Sequence, residues 1–249
     1  MVTDWFQMSF LMTFCTLVVR VLCVPLNLLE AVGLYKLYKH VVPFCLYRVS
    51  KLYNKKMHER KKELFACLSE FKQPGQQLTI LEVGCGTGSN FRFYPAGCKV
   101  ICTDNNVHYV KYLQRNMLEN PHITYEKFVE VSAEDMRSFE DGCVDVVVCT
   151  LVLCSVDNVS QSLREVRRVL RPRGAFFFLE HVVAEPSTWT YFFQHVLKPV
   201  CYYIGDGCQV TRATWTHLES AGFSDLKLRH IKAPLIFFNK PHIMGYGVK

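Results

Sequence analysis

Hydrophobic and polar positions divide the chain into three regimes. From Trp5 to Leu29, 25 residues include a single charge, Arg20. As one α-helix this run would be about 37 Å long, against a bilayer hydrocarbon core of about 30 Å. Only 15 uncharged residues precede Arg20. Two membrane geometries therefore stand open: one crossing helix with Arg20 snorkelling, or two half-helices broken at Pro25 in one leaflet. Burial of the helix in a soluble core is the third reading. Asp4 precedes the run and no small-residue cleavage site follows it, which is the pattern of a retained anchor rather than a signal peptide. Residues 1–35 are assigned to a hydrophobic membrane anchor.

Residues 36–75 form the second regime, a basic amphipathic linker and helix. Val41-Val42-Pro43-Phe44 is a short apolar patch; Tyr53, Met57, Leu64, Leu68 and Phe71 then recur at helical spacing among Lys55, Lys56, Arg60, Lys61 and Lys62. One face is expected on a folded domain and the other on anionic headgroups or water. Lys72-Gln73-Pro74-Gly75 ends the helix. From residue 76 to 249 short β-rich runs alternate with helical patterns, which predicts an α/β domain. Leu78–Val83 and Cys98–Thr103 are its first strands. A helix at Ala213–Ala221, stopped by Gly222, and strands at Leu226–Ile231 and Ile243–Val248 close it.

Composition changes the picture in two places. Half of the 249 residues are hydrophobic and 20% are charged, so disorder is excluded. The net charge of +7 is concentrated: residues 36–62 carry +8, whereas residues 63–249 hold 19 charges of each sign. A nucleic-acid protein would carry its excess on the folded domain. Here it follows an apolar segment, so membrane lipid is the expected partner of residues 1–35 and 36–62, and no nucleic acid is expected. The same charge puts the domain on the cytosolic side, where Asn158-Val159-Ser160 is not glycosylated. Twelve cysteines contain no C-x-x-C pair, so reduced thiols and no metal are expected.

The chemistry begins at Gly84-Cys85-Gly86-Thr87-Gly88, directly after the first strand. Three alternate glycines allow a tight turn and close approach of backbone to a ligand. Glu82 stands two residues before them. Asp104 ends the second strand, 16 residues after Gly88, where a Rossmann-like fold puts an acid on ribose hydroxyls. The expected order is strand, turn, helix, strand.

These residues resemble class I S-adenosylmethionine-dependent methyltransferases. The matching blocks are LEVGCGTGSN from Leu81, the Asp104 strand end, Ala133-Glu134-Asp135-Met136, Asp141–Val147 and LREVRRVLRPRGAFFFLEH over 163–181. The resemblance implies a seven-stranded, mostly parallel sheet with helices on both faces. It implies that Glu82, Gly84, Cys85, Gly86 and Gly88 form the cofactor loop, that Asp104 holds the ribose diol with Asn105 flanking the adenosine, and that Glu134 or Asp135 meets the adenine, with Glu134 favoured. Leu151 and Cys154 beyond the fourth strand, and Glu180 and His181 beyond the fifth, are expected to face the methyl, since ligands bind at carboxyl strand ends. CTLVLCSV (149–156), Trp189–Phe192, Asp206-Gly207-Cys208 and Pro241–Gly245 are similar to the methyltransferase-like 7 family. That likeness implies a membrane-anchored enzyme of the endoplasmic reticulum and lipid droplets, catalytic domain facing the cytosol, that S-methylates small lipophilic thiols. Two positions depart from the pattern: Arg173 replaces a turn glycine, and Asn105-Asn106-Val107 replaces Pro-Asn-Pro.

A thiol acceptor must become the thiolate, of which only a few per cent exists at neutral pH when the thiol's pKa is near 8.5. His181 is the candidate base or thiolate-orienting group, against a structural role bonded to Glu180 or backbone. Asp206 is the second catalytic candidate, against a helix-capping role. Cys154 is expected as a pocket wall, and no nucleophilic cysteine is needed. Six aromatics over 189–204 form either a substrate cover or ordinary core. A lipid or quinone acceptor, and a membrane scaffold with little turnover, remain alternative readings.

Overall fold

The computed structural model describes residues 2–249, with the side chains at 2–8 and 35–39 outside the description. Trp5, at the head of the apolar run, and Lys36 and Lys39 of the basic stretch thus lie outside the described residues. The helices are α1 (Val2–Leu22), α2 (Val24–Ala31), α3 (Tyr35–Phe65), α4 (Val110–Leu118), α5 (Val159–Val169), α6 (Trp189–Ile204) and α7 (Thr214–Ser220). The strands are β1 (Thr79–Val83), β2 (Lys99–Asp104), β3 (Thr124–Glu130), β4 (Val144–Thr150), β5 (Leu170–His181), β6 (Asp225–Lys232) and β7 (Pro241–Val248). They form one seven-stranded sheet in the order β3-β2-β1-β4-β5-β7-β6. Only β7 runs against its neighbours, pairing antiparallel with β5 and β6.

The two-residue period of the strands builds a core on each face. On β5, Phe176 and Phe178 pack with Leu163 and Val166 of α5 and Leu218 of α7. Phe177 and Leu179 point the other way, onto Met57, Leu64 and Phe65 of α3. Val83 lies opposite Thr103 on one side and Cys149 on the other, so β1, β2 and β4 end at one level. A crevice at carboxyl strand ends follows from that register.

The apolar front takes the broken form among its open readings, and three expectations need correction: the helix after the glycine turn, the end of the basic helix and the solvation of Lys61. The apolar front is two helices: among the described residues no single helix is long and apolar enough to cross a membrane, while Ser9–Leu22 and Val24–Ala31 pass as a pair bent by 47°. Pro25 occupies the first turn of α2, where its missing N–H costs nothing, so the chain bends at Cys23. The helix expected after the glycine turn is absent. Gly84 to Cys98 holds turns and one 3₁₀ turn, Phe91–Phe93, and α3 covers that face of the sheet instead. The basic helix ends at Phe65, not at Lys72, and Lys61 is buried rather than solvated. Burial lowers Lys61 to about 8, and its ammonium donates to Asn54 Oδ1 (2.5 Å) and Asn90 Oδ1 (2.7 Å). The aromatic segment is α6, which packs on α1, and Tyr203 donates to Asn27 and, at 3.0 Å, to Glu30 Oε2 of α2.

The Arg173 departure has a structural signature. Arg173 has φ of 65°, a left-handed backbone that strains any side chain by about 1–2 kcal/mol. Gly174 beside it is held to glycine differently, since a Cβ would lie 2.7 Å from the Asp145 carbonyl oxygen. Replacing Arg173 by glycine is expected to stabilise the fold by about 0.5–1 kcal/mol, the strain relieved less the extra entropy of an unfolded glycine. Thermal denaturation should rise by a few degrees, about 1–4 °C; a lower midpoint would contradict the strain argument.

Candidate active site

A crevice of about 240 Å³ opens over the carboxyl ends of β1, β2 and β4, lined by Gly84, Gly86, Asp104, Asn105, Glu134, Leu151 and Asp206. Seven residues singled out in the sequence thus converge from five loops. Gly84 (φ 61°) and Gly86 (φ 49°) make the turn a side chain would strain. A Cβ on Gly84 would sit 2.3 Å from Val152 Cγ2, so the β1 loop touches the β4 loop through a hydrogen atom. Asp104 is 7% exposed. Its Oδ2 accepts Gly86 N–H at 2.9 Å and its Oδ1 accepts Asn106 N–H at 3.0 Å. Burial raises its carboxyl to about 6, against those two bonds.

The same geometry separates the remaining candidates. Glu134 accepts the backbone N–H of Asn158, the residue whose side chain caps α5. Its neighbour Asp135 turns outward, paired with Arg137 at 2.6 Å, so the acid at the crevice is Glu134. Glu82 is inside the sheet: Asn90 Nδ2 donates to Oε1 at 2.8 Å and Tyr94 O–H to Oε2 at 2.7 Å. Burial raises Glu82 to about 7. Its role is to hold the loop from beneath rather than to line the crevice. Cys85 is buried with its thiol pushed well up by burial, and Gly88 is wedged against Phe91 and Leu113. Asn105 faces the crevice, whereas Asn106 is buried and accepts His108 N–H at 3.0 Å.

Leu151 (φ 58°) and Asp206 (φ 51°) are strained non-glycine residues, and both line the crevice. Such strain persists only where surrounding structure imposes it. Glu180 supplies part of that imposition, its Oε1 accepting Val152 N–H (3.0 Å) and Leu153 N–H (3.2 Å). His181 does not line the crevice. It is 5% exposed, behind the wall, with Nε2 at 2.9 Å from Cys208 Sγ. Neither a bond to Glu180 nor one to backbone holds it. The aromatics of α6 are likewise absent from the described lining; only Gly205 and Asp206, just after the helix, reach it. Leu46 of α3, Tyr109, Ser132 and Asp157 also line it with no motif in the sequence to mark them, as does Ser155 of the 149–156 block.

The residues present fit a nucleoside carrying a positive sulfonium: a glycine cradle, a buried carboxylate beside it and a second carboxylate across the crevice. Asp104 offers acceptors on both oxygens, enough for two ribose hydroxyls as well as the turn, only while ionised; protonation turns one oxygen into a donor. Cofactor binding should therefore weaken as pH falls through about 6, approaching tenfold per unit well below it. Titration calorimetry between pH 5 and 8 checks this; a flat profile would remove Asp104 from the ribose.

The methyltransferase domain family profile matches residues 81–178. Thiol S-methyltransferase TMT1A of Homo sapiens is 54% identical over 208 residues, covering 83% of this chain and 85% of the relative. Human thiol S-methyltransferase TMT1B is 44% identical over 244 residues, covering 97% and 100%. Among solved structures, a SAM-dependent methyltransferase of Thermotoga maritima aligns with TM-score 0.59 at 14% identity, over 86% of this chain and 99% of the other. The [4+2]-cyclase SpnF aligns with TM-score 0.54 at 16% identity, over 76% and 80%. Those two likenesses concern the fold alone. The glycine turn, Asp104 and Glu134 at one crevice, with identity running the full length of TMT1B, make this chain a member of the thiol S-methyltransferase family of TMT1A and TMT1B, built on a class I S-adenosylmethionine-dependent methyltransferase domain.

Proposed function

We propose that this protein moves the methyl group of S-adenosylmethionine to the sulfur of small lipophilic alkyl thiols at the cytosolic face of the endoplasmic reticulum membrane and of lipid droplets. The observation that carries the acceptor is the extent of the likeness to TMT1A and TMT1B. It continues on both sides of residues 81–178, into the segments that would contact an acceptor rather than the cofactor. S-Adenosylmethionine, when bound, supplies an electrophilic methyl on a sulfonium. The chain's own residues do the rest. Asp104 and the Gly84–Gly86 turn hold the nucleoside, Glu134 faces its base, and Leu151 and Val152 form an apolar wall that excludes water from the reacting centre. Methyl transfer from labelled S-adenosylmethionine to an alkyl thiol by the membrane-embedded protein tests the reading, with Asp104→Ala as control. Cofactor binding without thiol methylation would overturn the acceptor and turn attention to lipid or quinone acceptors.

The membrane reading has its own support. Phe10, Phe14, Leu17, Val21, Leu22, Leu28 and Val32 of the α1–α2 region are exposed, a larger apolar surface than soluble monomers tolerate. Trp189 and Ile204 at the two ends of α6 extend it, since α1 lies on that helix. The bent pair suits one leaflet, with Lys51, Lys55 and Lys56 near the headgroups. Introducing glutamate at Phe14, Leu17 and Leu28 together should cut vesicle binding by at least about tenfold while leaving cofactor affinity unchanged. Undiminished flotation with vesicles would refute the anchor.

A further inference from the structure

The fold gathers one group that the proposed reaction has not used. Cys154 follows β4, His181 ends β5 and Cys208 follows α6, and their Sγ, Nε2 and Sγ lie within 4.8 Å of one another. We propose that these three side chains form a divalent-metal site, with Zn²⁺ as its ion, whose open fourth position takes the acceptor sulfur as a thiolate. This rests on the thiol reading above for the acceptor, but not for the metal.

The donor set and its surroundings carry the argument. Zinc bonds of about 2.3 Å to sulfur and about 2.0–2.1 Å to imidazole give ligand separations of roughly 3.5–3.8 Å at a tetrahedral ion, against 2.9 Å between His181 Nε2 and Cys208 Sγ and none above 4.8 Å here. Three protein ligands with one open position are the pattern of catalytic rather than structural zinc. The site is held before any ion enters. Gln209 N–H donates to the Cys154 carbonyl at 3.0 Å. Arg212 donates to the carbonyls of Leu153 (2.5 Å) and Val156 (2.7 Å), so the loops bearing Cys154 and Cys208 are tied together. Cys154 is 2% and His181 5% exposed. Two thiolates and a divalent cation sum to zero charge, which is what such burial tolerates. Among the described residues no other three His, Cys, Asp or Glu side chains converge this way.

A second observation points to a ligand here. His181 Nδ1, His242 Nε2 and the Tyr53 hydroxyl are buried without hydrogen-bond partners. The His181 and His242 rings lie 6.2 Å apart and those of Tyr53 and His242 6.1 Å apart, so these unpartnered polar atoms run out from the three donors through His181. Ser155, next to Cys154, and Asp206, two residues before Cys208, line the crevice, so the donor group adjoins its lining.

The chemistry supplies what a thiol acceptor lacks. An unassisted thiol is mostly protonated at neutral pH, whereas one bound to zinc is ionised outright. The acceptor's S–H proton passes to water as its sulfur bonds the ion. A sulfur lone pair then forms the new bond to the methyl carbon, the methyl–sulfonium bond breaks, and its electron pair stays on the departing sulfur. The thioether product is a weak ligand and leaves.

Elemental analysis of the full chain in detergent, purified with and without added Zn²⁺, tests the site. About one zinc per chain is expected, retained by Cys201→Ser and reduced at least tenfold in Cys208→Ser. Co²⁺ in place of zinc should give the protein a thiolate-to-cobalt charge-transfer band. That band decides the question if Cys208→Ser proves misfolded, as loss of cofactor binding would reveal. Less than a tenth of a zinc per chain, or no cobalt band in the unsubstituted protein, would overturn the proposal. A metal-loaded protein that methylates no thiol would keep the site and overturn the acceptor instead.

Discussion

Replacing Asp104 by alanine should raise the dissociation constant for S-adenosylmethionine by about 10²–10⁴. The carboxylate stands 7% exposed at the end of β2, where a ribose diol would donate two hydrogen bonds to it. Bonds to a charged acceptor are worth about 1.5–3 kcal/mol each, and every 1.4 kcal/mol is tenfold. The loss also strikes the turn itself, because Gly86 and Asn106 N–H groups lose their acceptor. Asp104→Asn keeps an oxygen but no charge and should fall between the two. Calorimetry with all three proteins separates these outcomes. An alanine variant within about threefold of the unsubstituted protein would mean that ribose is not held at Asp104.

Gly84→Ala should cost about 2–5 kcal/mol of stability. A left-handed backbone accounts for about 1–2 of that, and the rest is the clash with Val152 at 2.3 Å, since overpacking costs about 1–3 kcal/mol. Gly97 gives the internal comparison. Its φ of 73° is also left-handed, but nothing lies within 4 Å of its Cβ, so Gly97→Ala should pay only the backbone strain. A denaturation midpoint roughly 4–20 °C lower is expected for Gly84→Ala, with cofactor affinity reduced as well, because Val152 lines the crevice. Equal shifts for the two variants would show that the contact with Val152 relaxes freely.

Much of the fold was legible before any coordinates. Phe176–Leu179 alternate faces because a strand has period two, and Leu163 and Val166 face inward because a helix has period 3.6. Asp104 was found at its strand end for the same reason: a β-rich run stops at a charge. Other elements were misread where tertiary context overruled local pattern. Lys61 looks like one more solvated lysine among Lys55, Lys56 and Lys62, yet it is buried on Asn54 and Asn90. The helix expected after Gly88 gave way to a short connection ending in Pro95 and Gly97, and α3 took its place on the sheet. Asp135 and Glu134 are adjacent and alike in sequence; Arg137 draws one outward and the start of α5 holds the other.

By itself the sequence determined the α/β class, the glycine turn, the acid at the end of β2 and the placement of positive charge beside an apolar front. Each is written in residues close together along the chain, where backbone periodicity and turn chemistry act locally. The tertiary structure alone decided that the front bends at Cys23, that His181 sits behind the crevice wall, and that Glu82 supports the loop from below. It alone brought Cys154, His181 and Cys208 together across separations of 27 residues. Those outcomes depend on which loops the sheet register sets side by side, and no spacing within one segment encodes that.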